Sequence, residues 1–114
     1  MSQKIERIAQ DMHRVLYEIL KELKDPRIGG MLSIVRVDVT ADLSYATVYV
    51  SAVEGLEQAQ SAVKGLKAAV GFIRRELAHR MKLRHTPELR FVADGSIEHG
   101  ADIARMLKEI QEEE

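Results

Sequence analysis

The sequence predicts an α+β fold, α-β-β-α-β-α, with helices packed on a three-stranded mixed sheet. Three observations carry that prediction. Apolar residues recur at three- and four-residue steps in the N-terminal segment and again from Leu56 to about Leu83. Two alternating runs, "LSIVRVDVT" and "YATVYVSA", flank a short polar stretch. Prolines at 26 and 87 stand between the periodic segments and punctuate them.

The first helix is expected over 3–24, where Ile5, Ile8, Met12, Val15, Leu16, Ile19, Leu20 and Leu23 share one face. Lys21 and Lys24 suit its C-terminal end, and Pro26 in "KDPRIGG" stops it before Gly29-Gly30 turns the chain. In the first strand Val35, Val37 and Val39 are expected on the buried side, with Arg36 and Asp38 opposite. "ADLS" (41–44) is the turn, and Ala46, Val48, Val50 and Ala52 form the buried side of the second strand. Val63, Leu66, Val70, Ile73, Leu77 and Met81 make the stripe of the middle helix. "ELRFVAD" reads as a third, shorter strand, and Ser96 as the N-cap of a last helix whose inner face is Ile103, Leu107 and Ile110. No repeat or linker divides the chain, so 1–114 is expected to be a single domain with a short acidic tail at 111–114.

Composition narrows the function classes. The 114 residues are 46% apolar but only 4% aromatic, so an aliphatic core is expected. With no Cys there are no disulfides, thiolate zinc sites or thiol catalysis. No apolar run approaches the ~20 residues that cross a bilayer, and "MSQKIERIAQ" is not a signal peptide, so a cytoplasmic location is expected. Net charge is −1, yet residues 64–90 hold eight Lys/Arg against Glu76 and Glu88. That window is +6 and the remainder −7, with four acids in the final "EIQEEE". A basic patch on an otherwise acidic molecule selects polyanions for one face.

On a helical wheel the middle stripe keeps within roughly 80° of arc. Lys64, Lys67, Arg74, Arg75, His79 and Lys82 fall on one flank beside it, and Arg80 on the other edge. Such a ridge can meet successive phosphates while the stripe anchors the helix. Arg84, His85 and Arg90 extend it, and His79 and His85 add charge in acid. Arg74 lies closest to the stripe and is the member most suited to bracing the fold instead. Phe72 would point roughly 130° away from the stripe on a straight helix. Because it follows Gly71, a bend or break near Ala69-Val70-Gly71 is expected, giving Phe72 a second buried contact and letting another backbone approach the small residues. The alternative is a straight helix with Gly71 at a crowded crossing and Phe72 partly exposed.

With that joint the order becomes α-β-β-α-α-β-α, and the chain resembles a type II KH domain, specifically the ribosome-binding factor A family. The resemblance rests on "LKDPRIG", "ADLSYATVYVS", "GFIRRELAHRMKLRHTPELRF" and "DGSIEHG", in the family's order and spacing over about residues 4–110. It identifies Ala69-Val70-Gly71 as the Ala-x-Gly joint that stands where ordinary KH domains carry Gly-x-x-Gly, and no two glycines here are three apart. The single-strand clamp of KH domains is therefore missing, and phosphate contacts and shape should govern recognition. The resemblance implies a non-enzymatic factor that binds the immature small ribosomal subunit through its rRNA, and the size and mixed-charge surface of the chain suggest a monomer. It further implies help with late maturation and 5′-end processing, growth in the cold, and a functional link to a maturation GTPase and initiation factor three. Many relatives carry Arg where this chain has Asp102, and many extend well past Glu114.

Other readings have specific supports. Lys24 and Arg27 are further candidates to touch RNA, although Asp25-Pro26 also serves as plain helix-stop chemistry. Tyr45 and Tyr49 on the outer hairpin face could stack on bases, or simply pack across the strands. Glu98, His99 and Asp102 resemble part of a metal site, but no His-Glu-x-x-His, Walker loop or nucleophile elbow accompanies them, and no cofactor or catalytic residue is expected. A protein–protein adaptor whose basic ridge meets an acidic partner is the rival function.

Overall fold

A computed structural model describes residues 3–28 and 31–95. The last helix expected from Ser96, with Ile103, Leu107 and Ile110, lies outside the described residues, as do Glu98, His99, Asp102 and the acidic tail. The described elements are helix α1 (Gln3–Glu22), a 3₁₀ turn (Pro26–Ile28), strands β1 (Leu32–Val39) and β2 (Tyr45–Ala52), helices α2 (Leu56–Ala68) and α3 (Val70–Met81), and strand β3 (Glu88–Ala93). Strand order is β1-β2-β3, with β1 antiparallel and β3 parallel to β2. The sheet is thus mixed, and the α+β architecture is the expected one.

One apolar cluster joins the helices to one face of the sheet. Met12, Val15, Leu16 and Ile19 of α1 meet Val63 and Leu66 of α2, Ile73 and Leu77 of α3, and Val37, Ala46, Val48, Val50, Leu89 and Phe91 of the strands. Helix α1 packs on β1 and α3, while α2 packs on β2 and β3. Each fully buried aliphatic side chain of this kind contributes about 1.5–3 kcal/mol. The 3.6-residue stripes and the alternation of β2 are therefore what holds the two layers together.

Strand β1 departs from simple alternation. Ile34 pairs with Val50 and Arg36 with Tyr49, so Val35 is the extra residue of a β-bulge. Ile34 and Val37 are consequently buried, Val39 is half-buried, and Val35 is 40% exposed, which corrects the expectation that Val35 faces the core. His13 of α1 serves the bulge, its Nε2 donating to the Ile34 carbonyl oxygen at 2.7 Å. The β1–β2 turn is closed by Asp42, whose Oδ1 accepts from the Thr40 hydroxyl at 2.8 Å and the Ser44 N–H at 3.1 Å. The Ser44 N–H, then the Thr40 hydroxyl, hold this carboxyl below its ordinary value. Leu43 takes the left-handed conformation (φ 61°) inside that bracket.

Candidate nucleic-acid interface

The middle helix is broken rather than bent. Ala69 ends α2 and opens α3 with φ −98° and ψ 9°; its N–H still reaches the Gly65 and Leu66 carbonyls, and its carbonyl accepts from Ile73 N–H at 3.0 Å. Leu66 and Ile73, on either side of the break, both reach the core with no exposure. It does not bury Phe72, which stays 39% exposed, so the expected second buried contact is corrected. Nor is Gly71 a point of close approach among the described residues, because a Cβ built there meets none of them within 4 Å. The close approach is at Gly65 instead. A Cβ at that position would lie 2.9 Å from Ile28 Cγ1, 3.2 Å from Asp25 Oδ2 and 3.3 Å from Arg27 Cβ. The "KDPRI" corner is therefore seated directly on α2, a contact that no local sequence pattern announces.

The basic residues divide by what their charges already meet. Arg27 forks onto Asp25, with Nη2 to Oδ2 at 2.7 Å and Nε to Oδ1 at 3.1 Å, while its own N–H also donates to Oδ1 at 2.8 Å. The Arg27 side chain, then its backbone N–H, hold the Asp25 carboxyl below the usual aspartate value, and the Arg27 guanidinium is raised in turn. Arg80, on the other edge of the stripe from the remaining cations, bridges Glu22 of α1 and Glu76, the latter at 3.0 Å. Hydrogen bonds from those two carboxylates, Glu22 first, raise its guanidinium further. Arg74 is half-buried and donates from Nη2 to the Thr86 carbonyl at 2.8 Å and from Nε to the Pro87 carbonyl at 3.2 Å. Arg74 and Arg80 therefore tie separate segments of the fold together, and Arg27 is tied within its own corner.

The others remain turned to solvent. Lys24, Lys64, Lys67, Arg75, Lys82, Arg84 and His85 are exposed, and none forms an ion pair or side-chain hydrogen bond with another described residue. Lys82 closes α3 in the left-handed conformation, φ 54°, which projects the following linker away from the helix. Arg90 lies with its guanidinium carbon 4.1 Å from the Tyr45 ring centroid, a stack that fixes its plane. Tyr49 is covered in the same way by Arg36 at 4.4 Å, so each outer-face tyrosine already holds an arginine on one ring face.

Two shallow clefts lie beside Lys67, His85 and Arg90. One, of about 250 Å³, lies between Lys67 and Arg90 over Val70, Leu89 and Phe91. The next, of about 490 Å³, shares Val70 and Leu89 and is bordered by Tyr45, Arg74 and His85. The helix break thus forms the wall of an apolar-floored furrow with cations on its rims. Lys64 stands one turn from Lys67, beside the Gly65 seat on which Arg27 rests. An unpaired guanidinium or ammonium on a rim is suited to phosphate; an apolar floor is suited to ribose or base.

The ribosome-binding factor A family model matches residues 4–107. The chain belongs to the ribosome-binding factor A family. A ribosome-binding factor A from Acetivibrio thermocellus is 47% identical over 108 residues, covering 94% of this chain and 88% of that one. The crystal structure of ribosome-binding factor A from Thermus thermophilus superposes with a TM-score of 0.70 at 29% identity, over 78% of this chain and 93% of that one. A homology model of the Thermus thermophilus factor, fitted into a cryo-EM map of a complex with the 30S particle, matches with a TM-score of 0.61 at 30% identity. That match covers 74% of this chain and 88% of the fitted one. Membership accounts for the quoted motifs together.

Proposed function

We propose that this protein is a ribosome assembly factor that binds the immature small ribosomal subunit through its rRNA. The observation that carries the reading is the set of unpaired cations along α2, α3 and the linker that follows, in a family whose Thermus thermophilus member was fitted into a complex with the 30S particle. Lys64, Lys67, Arg75, Lys82 and Arg84 supply the phosphate contacts, with Lys24, His85 and Arg90 at the margins. Arg27, Arg74 and Arg80 shape the surface from behind. The whole chain acts as one cytoplasmic, monomeric domain of KH type II kind, without the Gly-x-x-Gly clamp. No described helix is long and apolar enough to cross a membrane.

Binding of this kind is driven by release of counterions from the RNA, so it is steeply salt-dependent. About five phosphate contacts give a drop of roughly 10²–10³ in affinity between ~50 and ~200 mM salt. By holding rRNA segments in a non-final arrangement, the factor assists late maturation and 5′-end processing without making or breaking a bond itself. Release is coupled to a maturation GTPase and initiation factor three, and the demand for such help is greatest in the cold, where misfolded RNA escapes slowly.

Co-sedimentation with immature and mature small subunits at several salt concentrations tests the reading. Preferential pelleting with the immature particle is expected. The triple change Arg75→Glu, Lys82→Glu and Arg84→Glu should abolish pelleting while leaving the circular dichroism spectrum and melting temperature near the parent's. Undiminished binding by that variant would exclude the basic surface as the RNA contact. Equal binding to any acidic protein would favour an adaptor.

A further inference from the structure

We propose that Arg74 is a positioning residue, which acts on RNA only by fixing the 83–87 linker that displays Arg84 and His85. The proposal rests on the RNA-binding reading above and adds to it a division of labour between neighbouring arginines. The linker has no regular structure of its own. At its start the Leu83 N–H donates to the Ala78 carbonyl at 3.1 Å behind left-handed Lys82, and at its end the Glu88 N–H donates to the Ser44 carbonyl at 2.9 Å. Between those points, among the described residues, its carbonyls are held by Arg74: Thr86 at 2.8 Å and Pro87 at 3.2 Å.

The chemistry of that grip suits a brace. Two donors on one rigid guanidinium plane meet two successive carbonyl oxygens, a spacing that a single flexible ammonium does not reproduce. Both donors point inward to backbone, and the side chain is half-buried, whereas Arg75 next to it is exposed with no described partner. Arg84 and His85 are also exposed, and the linker that carries them makes no other side-chain contact of this kind among the described residues. A linker pinned in the free protein presents its cations already ordered, which removes an entropic cost from binding. A sequence reading that counts Arg74 as one more phosphate ligand therefore places its contribution one step too close to the RNA.

The two roles separate in a double-mutant cycle read as affinity for immature small subunits at one fixed salt concentration. Arg74→Met and Arg74→Lys should each weaken binding about tenfold, a coupling of the size expected for contacting groups. In an Arg84→Ala/His85→Ala background the same Arg74→Met change should weaken it less than about twofold, because the groups it positions are gone. Amide hydrogen exchange should rise at Leu83–Thr86 in Arg74→Met and stay unchanged in β2. Two results would overturn the proposal: wild-type affinity for Arg74→Lys, showing that charge alone suffices, or an equal drop from Arg74→Met in both backgrounds, showing direct contact. If Arg74→Met does not fold, Arg74→Lys in the two backgrounds, with its exchange pattern, decides the question in the same way. Wild-type binding by Arg84→Ala/His85→Ala and by the Arg75/Lys82/Arg84 reversal together would refute the RNA surface itself, an outcome distinct from failure of the Arg74 arms alone.

Discussion

Gly65 and Gly71 stand less than two turns apart on the two halves of the broken helix, and the fold uses them in opposite ways. Gly65 is buried beneath the Asp25–Arg27 fork and Ile28, where a methyl group would meet atoms at 2.9–3.3 Å. Gly71 faces open space, has helical rather than left-handed backbone, and lowers helix stability by about 1 kcal/mol relative to Ala. The first glycine makes a corner rigid; the second has no packing partner within 4 Å. Cations follow the same division. Arg27 and Arg80, at the packed places, are neutralised by carboxylates, whereas Lys67 and Arg75, on either side of the open joint, and Lys82, at the far end of α3, keep their charges for solvent or a partner.

The comparison can be broken by substitutions that treat the two glycines alike. Gly65→Ala should destabilise the protein by about 1–2 kcal/mol, the overpacking term exceeding the gain in helix propensity. Urea melts would show it as a lower midpoint with unchanged slope. A neutral or stabilising result would mean that the "KDPRI" corner yields easily and is not a lock. Gly71→Ala should do the reverse, raising stability by about 1 kcal/mol and the melting temperature by about 5 °C. A destabilised protein there would reveal packing against Gly71 that the described residues do not contain.

The smallest expected effect is electrostatic and sharpens the view of the corner. Asp25 is held below its ordinary value of 3.8 by its hydrogen bonds from Arg27. Its contribution is fully present above that pH and is lost as pH falls through the folded-state value, because the unfolded chain takes up the proton first. Melting temperature should therefore fall more steeply below about pH 4 in the parent than in Asp25→Asn, with parallel curves above about pH 5. Superimposable acid limbs would show that the fork adds nothing to folding.

Much of the architecture was legible because it depends on period. The α1 stripe, the β2 alternation and the aliphatic line from Val63 to Met81 each specify one face, and the structure buries those faces. Val35 was hard to place because apolar residues fall at 32 and 34 and then at 35, 37 and 39, and the second phase extends back through the bulge residue itself. Phe72 was misplaced for a related reason. A break at Ala69 redirects α3 as a unit, but the wheel cannot say whether the redirected ring meets anything. Lys64, Lys67, Arg75 and Lys82, which the wheel sets off the buried stripe, are exposed; the partners of Arg74 and Arg80 were not legible there. Arg80–Glu22 spans 58 residues and Arg74–Thr86 depends on where the linker returns, so both are products of the tertiary fold. Gly71 drew attention because glycine is conspicuous in a basic helix, while Gly65, which the fold requires, looked like an ordinary small residue.

The central claim is that cations left unpaired by the fold grip RNA and cations paired by it do not. It is tested most directly by the slope of log binding constant against log salt for immature small subunits. Replacing Arg75, Lys82 and Arg84 together by Gln should reduce the slope by about 2–3, at roughly 0.7–0.9 for each phosphate no longer neutralised. Replacing Arg27 and Arg80 by Gln should leave it unchanged. Equal slopes for both variants, or a larger drop for the paired arginines, would contradict the account.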